Sequence, residues 1–315
     1  MTEVALRARA PAKVNLVLRV GPRRPDGYHE LATLMVPLDL ADEVVVRATP
    51  GRKGEVRCSV PGRPELDGAS NLAARAAEAF RRRFGVADRV DLTVEKRVPV
   101  TAGLGGGSSD AAAVLRALAR IYGIRDRAAL HAAGLEVGSD VPFFLGPGAA
   151  WARGRGEELA RAAVPPLHLV LLYPRDPRLA IRAGDAYRWL DEVRGNMAER
   201  VAAPRTDRAG FTHGKAQNDL QGPCFQRHPE LQALADRLVG QGAKVAIMSG
   251  SGPSVFGVFR DRSAAQRAAA RTREAGARDV EVHVVRTLQR HPGVSRWKSP
   301  RSASSRSTKR SSRRT

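Results

Sequence analysis

The sequence has little of what would indicate a membrane, secreted or disulfide-rich protein. It contains no run of about 18 apolar residues, so it predicts no transmembrane helix. Its N-terminal segment lacks the apolar core of a signal peptide. Only two of its 315 residues are cysteines, Cys58 and Cys224, and neither lies in a CxxC pattern. Such thiols are typical of buried small side chains in a reducing compartment, so we expect a cytoplasmic protein.

Acidic residues are also scarce, with 32 Asp and Glu against 53 Lys and Arg. The formal net charge of +21 would suit a nucleic-acid partner. However, residues 293–315 carry eight Lys or Arg and no acid, and their Ser/Arg-rich composition predicts a disordered tail. Elsewhere the arginines are mixed with acids, as on a solvated surface. Nucleic-acid binding is therefore disfavoured, and contact of the tail with a polyanion is the minority interpretation.

The chain is long enough for two domains, and its hydrophobic content of 43% allows a sizeable core. In its first part, strand patterns occur at 14–20, 43–49, 55–60 and 89–99, and helical patterns at 71–85, 108–123 and 125–133. Ser70 is the expected N-cap of the first helix, and Gly85 its stop. The polar segment 194–214 predicts a long surface loop.

The second part of the chain has a different order of elements. We expect strands at 167–174, within 243–260 (two strands joined by a tight turn) and at 280–288, and helices at 183–193, 228–242 and 262–275. This order predicts an α+β sandwich with helices on one face of an antiparallel sheet. We place the domains at 1–160 and 161–292, followed by the tail at 293–315.

The segment GLGGGSSD, residues 103–110, stands between a strand pattern and a helix pattern. It does not match G-x-G-x-x-G because position 108 is serine, and it lacks the lysine of a Walker A loop. Glycines without Cβ let backbone N–H groups converge on an anion, and a helix N-terminus adds partial positive charge. Ser108 and Ser109 are expected to cap the helix and to offer hydroxyls to phosphate or a metal ion. This segment, the glycine loop, is therefore predicted to bind phosphate.

The run PVTAGLGGGSSDAAA resembles the ATP-binding motif of the GHMP kinases, which include galactokinase and the homoserine, mevalonate and phosphomevalonate kinases. Its GGGSSD form is similar to the branch that phosphorylates the 2-hydroxyl of a cytidine diphosphate-linked methylerythritol, in the non-mevalonate route to isoprenoids. The resemblance covers about residues 9–290. Further matching motifs stand in order: PAKVNLVLRV, RPDGYHELATLM, NLAARAA, GSDVPFFLGPGAAWARGRGE, QNDL and SGSGPSVFG. The resemblance implies an N-terminal ATP-binding α/β domain and a C-terminal ferredoxin-like α/β sandwich.

The resemblance also implies the chemistry. ATP is the co-substrate, with Mg²⁺. Asp140 is implied as the base that receives the hydroxyl proton, and Lys13 as the lysine that keeps Asp140 ionised. Without the resemblance, Asp140 would be a turn residue or helix cap, and Lys13 a surface lysine at a strand start. The implied ATP-binding residues are Lys96, Pro99, Val100, Thr101, Ala102, Gly103, Leu104, Gly105, Gly106, Gly107, Ser108 and Ser109. Ser108 or Ser109 is the expected protein ligand of Mg²⁺, with phosphates and water supplying the rest.

For the second substrate, the resemblance implies four contacts. Tyr28 stacks on cytosine, His29 hydrogen-bonds to the edge of the base, and Asn15 helps to hold the substrate. Tyr187 is the implied second aromatic, although a helical tyrosine is equally often a core residue. Relatives often carry a Ser-Thr pair shortly before this aromatic. Here Arg182 and Ala183 stand there, so a substrate contact is either lost or replaced by a charge-assisted one.

The sequence leaves two alternative functions open. One is a related GHMP kinase acting on homoserine or mevalonate, which the Tyr28-His29 pair disfavours because those substrates have no base to stack. The other is a catalytically silent GHMP fold that binds polyanions through its tail, which Lys13, Asp140 and the glycine loop disfavour.

Overall fold

The computed structural model describes residues 3–195, 216–275 and 279–297. The strands are β1 (Val4–Arg23), β2 (His29–Lys53), β3 (Val56–Ser59), β4 (Asp88–Glu95), β5 (Ala150–Gly154), β6 (Glu158–Arg161), β7 (His168–Pro174), β8 (Gln217–Asn218), β9 (Val245–Met248), β10 (Val255–Phe259), β11 (Val280–Arg286) and β12 (Val294–Arg296). The α-helices are α1 (Leu72–Phe84), α2 (Gly106–Ile121), α3 (Arg127–Val137), α4 (Val141–Leu145), α5 (Ala183–Arg194), α6 (Gln221–Arg227), α7 (Pro229–Gly240) and α8 (Arg262–Glu274). Short 3₁₀ turns cover Pro64–Leu66 and Pro177–Leu179.

A long antiparallel ribbon of β1 and β2 is the centre of the first sheet. The strand order is β12-β1-β2-β4-β3, with β5 on β2, β6 on β5 and β8 on β1. The ribbon is long enough that β4 pairs with the second half of β2 while β5 pairs with its first half. The register shifts on either side of Lys13 and Asn15. Because side chains two residues apart share a face of a strand, these two project to the same side.

Helices α1 to α4 cover one face of this sheet and form its apolar core. Helix α1 begins after Asn71, whose side chain accepts from the Ala73 N–H at 2.8 Å, so the cap is one residue later than predicted. It ends at Gly85, which has φ +65°, as expected for a left-handed C-cap. Helix α2 begins at Gly106 with Gly105 as its N-cap. The predicted capping by Ser108 and Ser109 is therefore wrong, since both lie inside the first turn.

The second sheet has the order β11-β7-β10-β9 and is wholly antiparallel. Its central strand β7 is buried on both faces. Val170 and Leu172 pack among residues of α5 to α8, while Leu169 and Leu171 pack among residues of the first sheet such as Leu16. A strand covered on both faces has a continuous apolar sequence, which explains the LHLVLLYP pattern. The predicted α+β arrangement is confirmed for this part.

The C-terminal part of the chain also contributes to the first sheet. Strand β12 pairs antiparallel with β1, and the Arg47 guanidinium lies 4.4 Å from the centroid of the Trp297 ring. The predicted disordered tail is therefore wrong for its first residues, and residues 298–315 lie outside the described ranges. Most of the predicted surface loop, residues 196–214, also lies outside them. The domain boundary near residue 160 falls within β6 and stays a prediction.

Two expectations about the chain as a whole can be compared with the structure. Cys58 and Cys224 are free and buried, as predicted for small core side chains. In the described ranges, none of the helices has the length and apolar character needed to span a membrane.

Candidate active site

A cleft of about 760 Å³ lies where β1, β2, the glycine loop, the residues before α4 and helix α5 meet. It brings together the following predicted site residues: Lys13, Asn15, Tyr28, His29, Gly103, Gly105, Ser108, Asp140 and Tyr187. These come from distant parts of the chain, so only the fold makes them neighbours.

Lys13 is a buried lysine surrounded by oxygen atoms. Its Nζ donates to Asn15 Oδ1 at 2.8 Å and to the Gly103 carbonyl at 3.1 Å. Asp140 Oδ2 lies 3.7 Å from the same Nζ, and the Lys13 and Asp140 side chains are 6% and 33% exposed. The alternative of a surface lysine is therefore wrong. Asp140 precedes α4 but caps it with no side-chain hydrogen bond, so its carboxylate remains available to the cleft.

Asn15 is held so that its amide oxygen faces Lys13. Its Nδ2 donates to Thr33 Oγ1 at 2.7 Å, and the Thr33 hydroxyl donates to the Val17 carbonyl at 2.7 Å. This chain of hydrogen bonds fixes which end of the amide is the donor. Asn15 thus orients Lys13 directly, and Thr33 is a supporting residue that sequence reasoning missed, because a threonine in a strand is unremarkable.

The glycine loop packs tightly against the second glycine turn of the protein, residues 249–252. Gly103 has φ +73°, and a Cβ there would lie 2.2 Å from the Ser249 carbonyl oxygen. The Ser249 hydroxyl donates to the Gly103 carbonyl at 3.1 Å. Gly105 has φ +68°, and a Cβ there would lie 3.0 Å from the Phe144 ring. These two glycines are therefore required by backbone conformation and by protein neighbours, a reason different from the predicted approach of an anion.

The second glycine turn is fixed by Asn218 of the QNDL motif. Asn218 Nδ2 donates to the carbonyls of Met248 at 2.8 Å and Gly250 at 2.7 Å. Gly250 has φ +57° and lines the cleft. The SGSGPSVFG segment therefore closes beside the glycine loop.

Ser108 and Ser109 face different surroundings because successive helical residues point about 100° apart. Ser108 lines the cleft. Ser109 is fully buried and does not line it, and its hydroxyl has no hydrogen-bond partner among the described residues. In the part of the chain that the structure describes, no group of three or more His, Cys, Asp or Glu side chains could hold a metal ion. Ser108 is thus the better placed of the two candidate metal ligands.

Lys96 belongs to a buried cluster of charges beside the glycine loop. Its Nζ donates to Asp110 Oδ2 at 2.8 Å and also contacts Asp42 Oδ2. The other Asp42 oxygen accepts from the N–H of Val98 at 2.8 Å. Burial lowers the pKa of Lys96, but the two carboxylates outweigh burial and raise it. Burial raises the pKa of the Asp110 carboxyl, and the Lys96 charge opposes that rise. Lys96 therefore links β2, β4 and α2.

The remaining predicted ATP-binding residues do not line this cleft: Pro99, Val100, Thr101, Ala102, Leu104, Gly106 and Gly107, together with Lys96 and Ser109. The side chains of Ala102 and Leu104 belong to the apolar core between the two sheets. Of the predicted ATP-binding residues, the cleft therefore contains only Gly103, Gly105 and Ser108.

The residues predicted to bind cytosine make two separate sets of contacts. His29 Nε2 lies 2.9 Å from Asp191 Oδ1, and the His29 ring stacks on Tyr187 with centroids 5.3 Å apart and planes at 16°. Tyr28 is 56% exposed, and the Arg155 guanidinium lies 5.0 Å from its ring centroid. Burial raises the pKa of the Tyr187 hydroxyl, and the charge of Asp140 adds to the rise.

The structure bears on the alternative roles predicted for Tyr187 and Arg182, which both belong to the α5 region. Tyr187 lines the cleft and also packs against the core of the second sheet, so its core-packing role is confirmed, while stacking on cytosine stays a prediction. Arg182 is the exposed N-cap residue of α5 and makes no side-chain cap hydrogen bond. It does not line the cleft, whereas Ala183 and Gly184 do. A charge-assisted replacement contact from Arg182 therefore has no support in this geometry.

Several cleft residues were not predicted: Arg23, Ser139, Arg155, Arg188 and Asp191. Asp191 carried a usable signal, because it stands four residues after Tyr187 and so shares its helix face. Arg155 lies within the quoted GSDVPFFLGPGAAWARGRGE segment. Arg23 and Arg188 carried none, since arginines are frequent throughout this sequence.

A glycine loop facing a lysine–aspartate pair between two α/β halves defines a small-molecule kinase of the GHMP class. The family model "GHMP kinases N terminal domain" matches residues 71–148, and "GHMP kinases C terminal" matches residues 209–278. A 4-diphosphocytidyl-2-C-methyl-D-erythritol kinase from Anaeromyxobacter dehalogenans is 67% identical over 308 residues, which cover 96% of this chain and 97% of that protein.

More distant relatives agree. A 4-diphosphocytidyl-2-C-methyl-D-erythritol kinase from Gloeobacter violaceus is 38% identical, with 90% of this chain and 95% of that protein covered. A crystal structure of 4-(cytidine 5'-diphospho)-2C-methyl-D-erythritol kinase matches with a TM-score of 0.72 and 37% identity, over 90% of this chain and 99% of that chain. The chain therefore belongs to the 4-diphosphocytidyl-2-C-methyl-D-erythritol kinase family of the GHMP kinases, and the predicted resemblance and fold are confirmed.

Proposed function

We propose that the protein transfers the γ-phosphoryl group of ATP to the 2-hydroxyl of 4-diphosphocytidyl-2-C-methyl-D-erythritol, a step of the non-mevalonate route to isoprenoids. The observation that carries the proposal is the Lys13–Asp140 pair, 3.7 Å apart, in the same cleft as Tyr28, His29 and Tyr187. The lysine–aspartate pair suits an alcohol that is being phosphorylated. The two tyrosines and the histidine suit a nucleobase such as cytosine. The names of the relatives support the same substrate.

Asp140 is proposed to accept the proton of the substrate hydroxyl as the oxygen attacks the γ-phosphorus. The new O–P bond forms while the bond between the β,γ-bridging oxygen and the γ-phosphorus breaks, and ADP leaves. Lys13 is proposed to place a positive charge beside Asp140 and beside the oxygen atoms on which charge develops. Asn15 and the Gly103 carbonyl hold the ammonium group in that position.

The glycine loop and the N-terminus of α2 are proposed to bind the ATP phosphates. The Ser108 hydroxyl is a hard oxygen donor in the cleft and fits a magnesium ion that takes its other ligands from phosphate and water. Mg²⁺ would neutralise charge on the β- and γ-phosphates. For Lys96 we propose support of the loop through Asp42 and Asp110, with contact to the nucleotide still a prediction.

Tyr28 and Tyr187 are proposed to enclose the cytosine ring between their faces, with His29 at its edge. More than half of the Tyr28 surface is exposed, so the ring is accessible to a ligand. A cytoplasmic location is part of the proposal, supported by the two free, buried cysteines.

The test is ADP release with a panel of alcohols. The cytidine-linked substrate should give turnover at least about 100-fold above homoserine and mevalonate in kcat/KM, because the site would lose its base contacts with either of them. Turnover of homoserine or mevalonate alone would overturn the substrate proposal. A protein that releases ADP with none of the three would instead be a silent GHMP fold.

A further inference from the structure

Two residues of α5, one helical turn apart, hold the imidazole of His29. Tyr187 stacks on the face of the ring, and Asp191 Oδ1 lies 2.9 Å from Nε2. The side chains of His29 and Asp191 are 7% and 32% exposed, and both residues line the cleft. The ring is thus fixed through its face and through one of its two nitrogens.

The contact with Asp191 determines where the ring carries its hydrogen. A carboxylate can only accept, so the hydrogen in this contact is on Nε2. In a neutral imidazole the other nitrogen, Nδ1, is then an acceptor. Among the described residues, the ring makes no second hydrogen bond that would impose the other tautomer. Asp191 therefore sets the hydrogen-bonding character of Nδ1.

Asp191 is itself held in place by the second half of α5. The buried side chains of Ala186 and Leu190 anchor the helix in the core of the second sheet, and ion pairs hold its C-terminal half. Arg194 Nη2 lies 3.4 Å from Asp219 Oδ2, and Arg227 pairs with Glu192. Among the described residues, His29 is the one side chain that pairs with Asp191, so the carboxylate is not shared with a competing arginine.

We propose that Asp191 is a positioning residue that makes the site selective for cytosine over uracil, an inference that rests on the proposed function. Cytosine carries an amino group at C4, which donates hydrogen bonds, where uracil carries a carbonyl oxygen, which accepts them. An acceptor at His29 Nδ1 pairs with the amino group and opposes the carbonyl oxygen. The selectivity therefore depends on a residue that need not touch the base.

The test compares kcat/KM for cytidine diphosphate-linked and uridine diphosphate-linked methylerythritol. Asp191→Asn keeps the shape of the side chain but can also donate, which releases His29 to carry its hydrogen on Nδ1. The preference for cytidine should fall at least about tenfold, through a higher KM for the cytidine substrate with kcat nearly unchanged. The matched control is Asp236→Asn on α7, whose carboxylate accepts from Gln232 at 2.8 Å at the surface; it should keep the wild-type preference.

An Asp191→Asn variant whose preference stays within twofold of wild type overturns the inference and leaves the proposed function standing. A wild-type protein that turns over neither substrate overturns the proposed function, and the cytosine assignment with it. A second measurement needs no variant at position 191: ¹⁵N NMR of the histidine rings at pH 8.5, with His29 identified by its loss in His29→Gln. Hydrogen on Nε2 supports the inference, and hydrogen on Nδ1 or on both nitrogens overturns it.

Discussion

Lys13 Nζ and Asp140 Oδ2 lie 3.7 Å apart, with the lysine side chain buried and the carboxylate one-third exposed. The distance is that of an ion pair whose carboxylate is still open to the cleft. Such a pair places a positive charge beside the carboxylate without enclosing it, which suits the proposed proton acceptor for an incoming hydroxyl.

The first prediction concerns Asp140→Asn, which keeps the shape of the side chain and removes its ability to take a proton. We expect kcat to fall by about 10²–10⁴-fold, the range for loss of a general base. The affinity for ATP, measured by isothermal titration calorimetry, should change little. Asp236→Asn is the control and should retain normal turnover. Near-normal kcat in Asp140→Asn would reject this residue as the base.

The second prediction isolates the contact between the two glycine turns. Gly103 and Gly62 have nearly equal φ, +73° and +76°, but only at Gly103 would a Cβ meet another atom, the Ser249 carbonyl oxygen at 2.2 Å. Gly62→Ala should lower the free energy of unfolding by about 1–2 kcal/mol, the cost of left-handed backbone alone. Gly103→Ala should cost at least about 1 kcal/mol more, because a backbone carbonyl cannot move cheaply. Urea denaturation measures both, and equal losses would contradict the contact.

The third prediction concerns the pH dependence of Lys96→Met. Without the lysine, Asp42 and Asp110 are left as buried carboxylates, and the loss in unfolding free energy should be about 3–5 kcal/mol at pH 8. Burial raises the native pKa of Asp110, and removing Lys96 raises it further. The native state then binds more protons than the unfolded state, so the variant should become less stable as the pH rises from 5 to 8.

Lys244→Met is the control for this third prediction, since Lys244 is exposed and no ion pair of its side chain is seen among the described residues. Its loss of stability should be small and independent of pH. Urea denaturation at pH 5, 6.5 and 8 distinguishes the two variants. A Lys96→Met protein as stable as wild type, with a raised KM for ATP, would favour direct contact with the nucleotide.

Much of the fold was predictable because local signals and tertiary packing agree. The strand β7 and the helices α5, α7 and α8 appear where the patterns placed them, within a few residues. Helix α2 begins two residues earlier than predicted because Gly105 supplies a left-handed N-cap. Ser108 and Ser109 are therefore not needed as capping residues. The length of the β1–β2 ribbon could not be predicted, since its pairing with β4, β5, β8 and β12 is long-range.

The site was predictable only where a motif marked it. Lys13, Tyr28, His29 and Asp140 stand in matched motifs and meet in one cleft. The structural reasons for Gly103, Lys96 and Asn15 were not visible, because each depends on a partner from a remote segment: Ser249, Asp42 and Thr33. Sequence spacing carries no information about such partners.

The last prediction compares two truncations of the C-terminus, one ending at residue 297 and one at residue 292. Strand β12 pairs with Leu6, Arg7 and Ala8 of β1, and Arg47 stacks on Trp297. The chain ending at 297 keeps these contacts and loses only the Ser/Arg-rich segment, so its melting temperature should match that of the full chain. The chain ending at 292 exposes an edge of β1 and loses the cation–π contact, at a cost on the order of 1–3 kcal/mol, and should melt about 3–8 °C lower.

The KM of this shorter chain for ATP at 25 °C should be unchanged, because β12 pairs with a part of β1 away from Lys13. Equal melting temperatures for the two truncations would mean that β12 contributes nothing to stability, and a raised KM in the shorter chain would mean that the strand also supports the site.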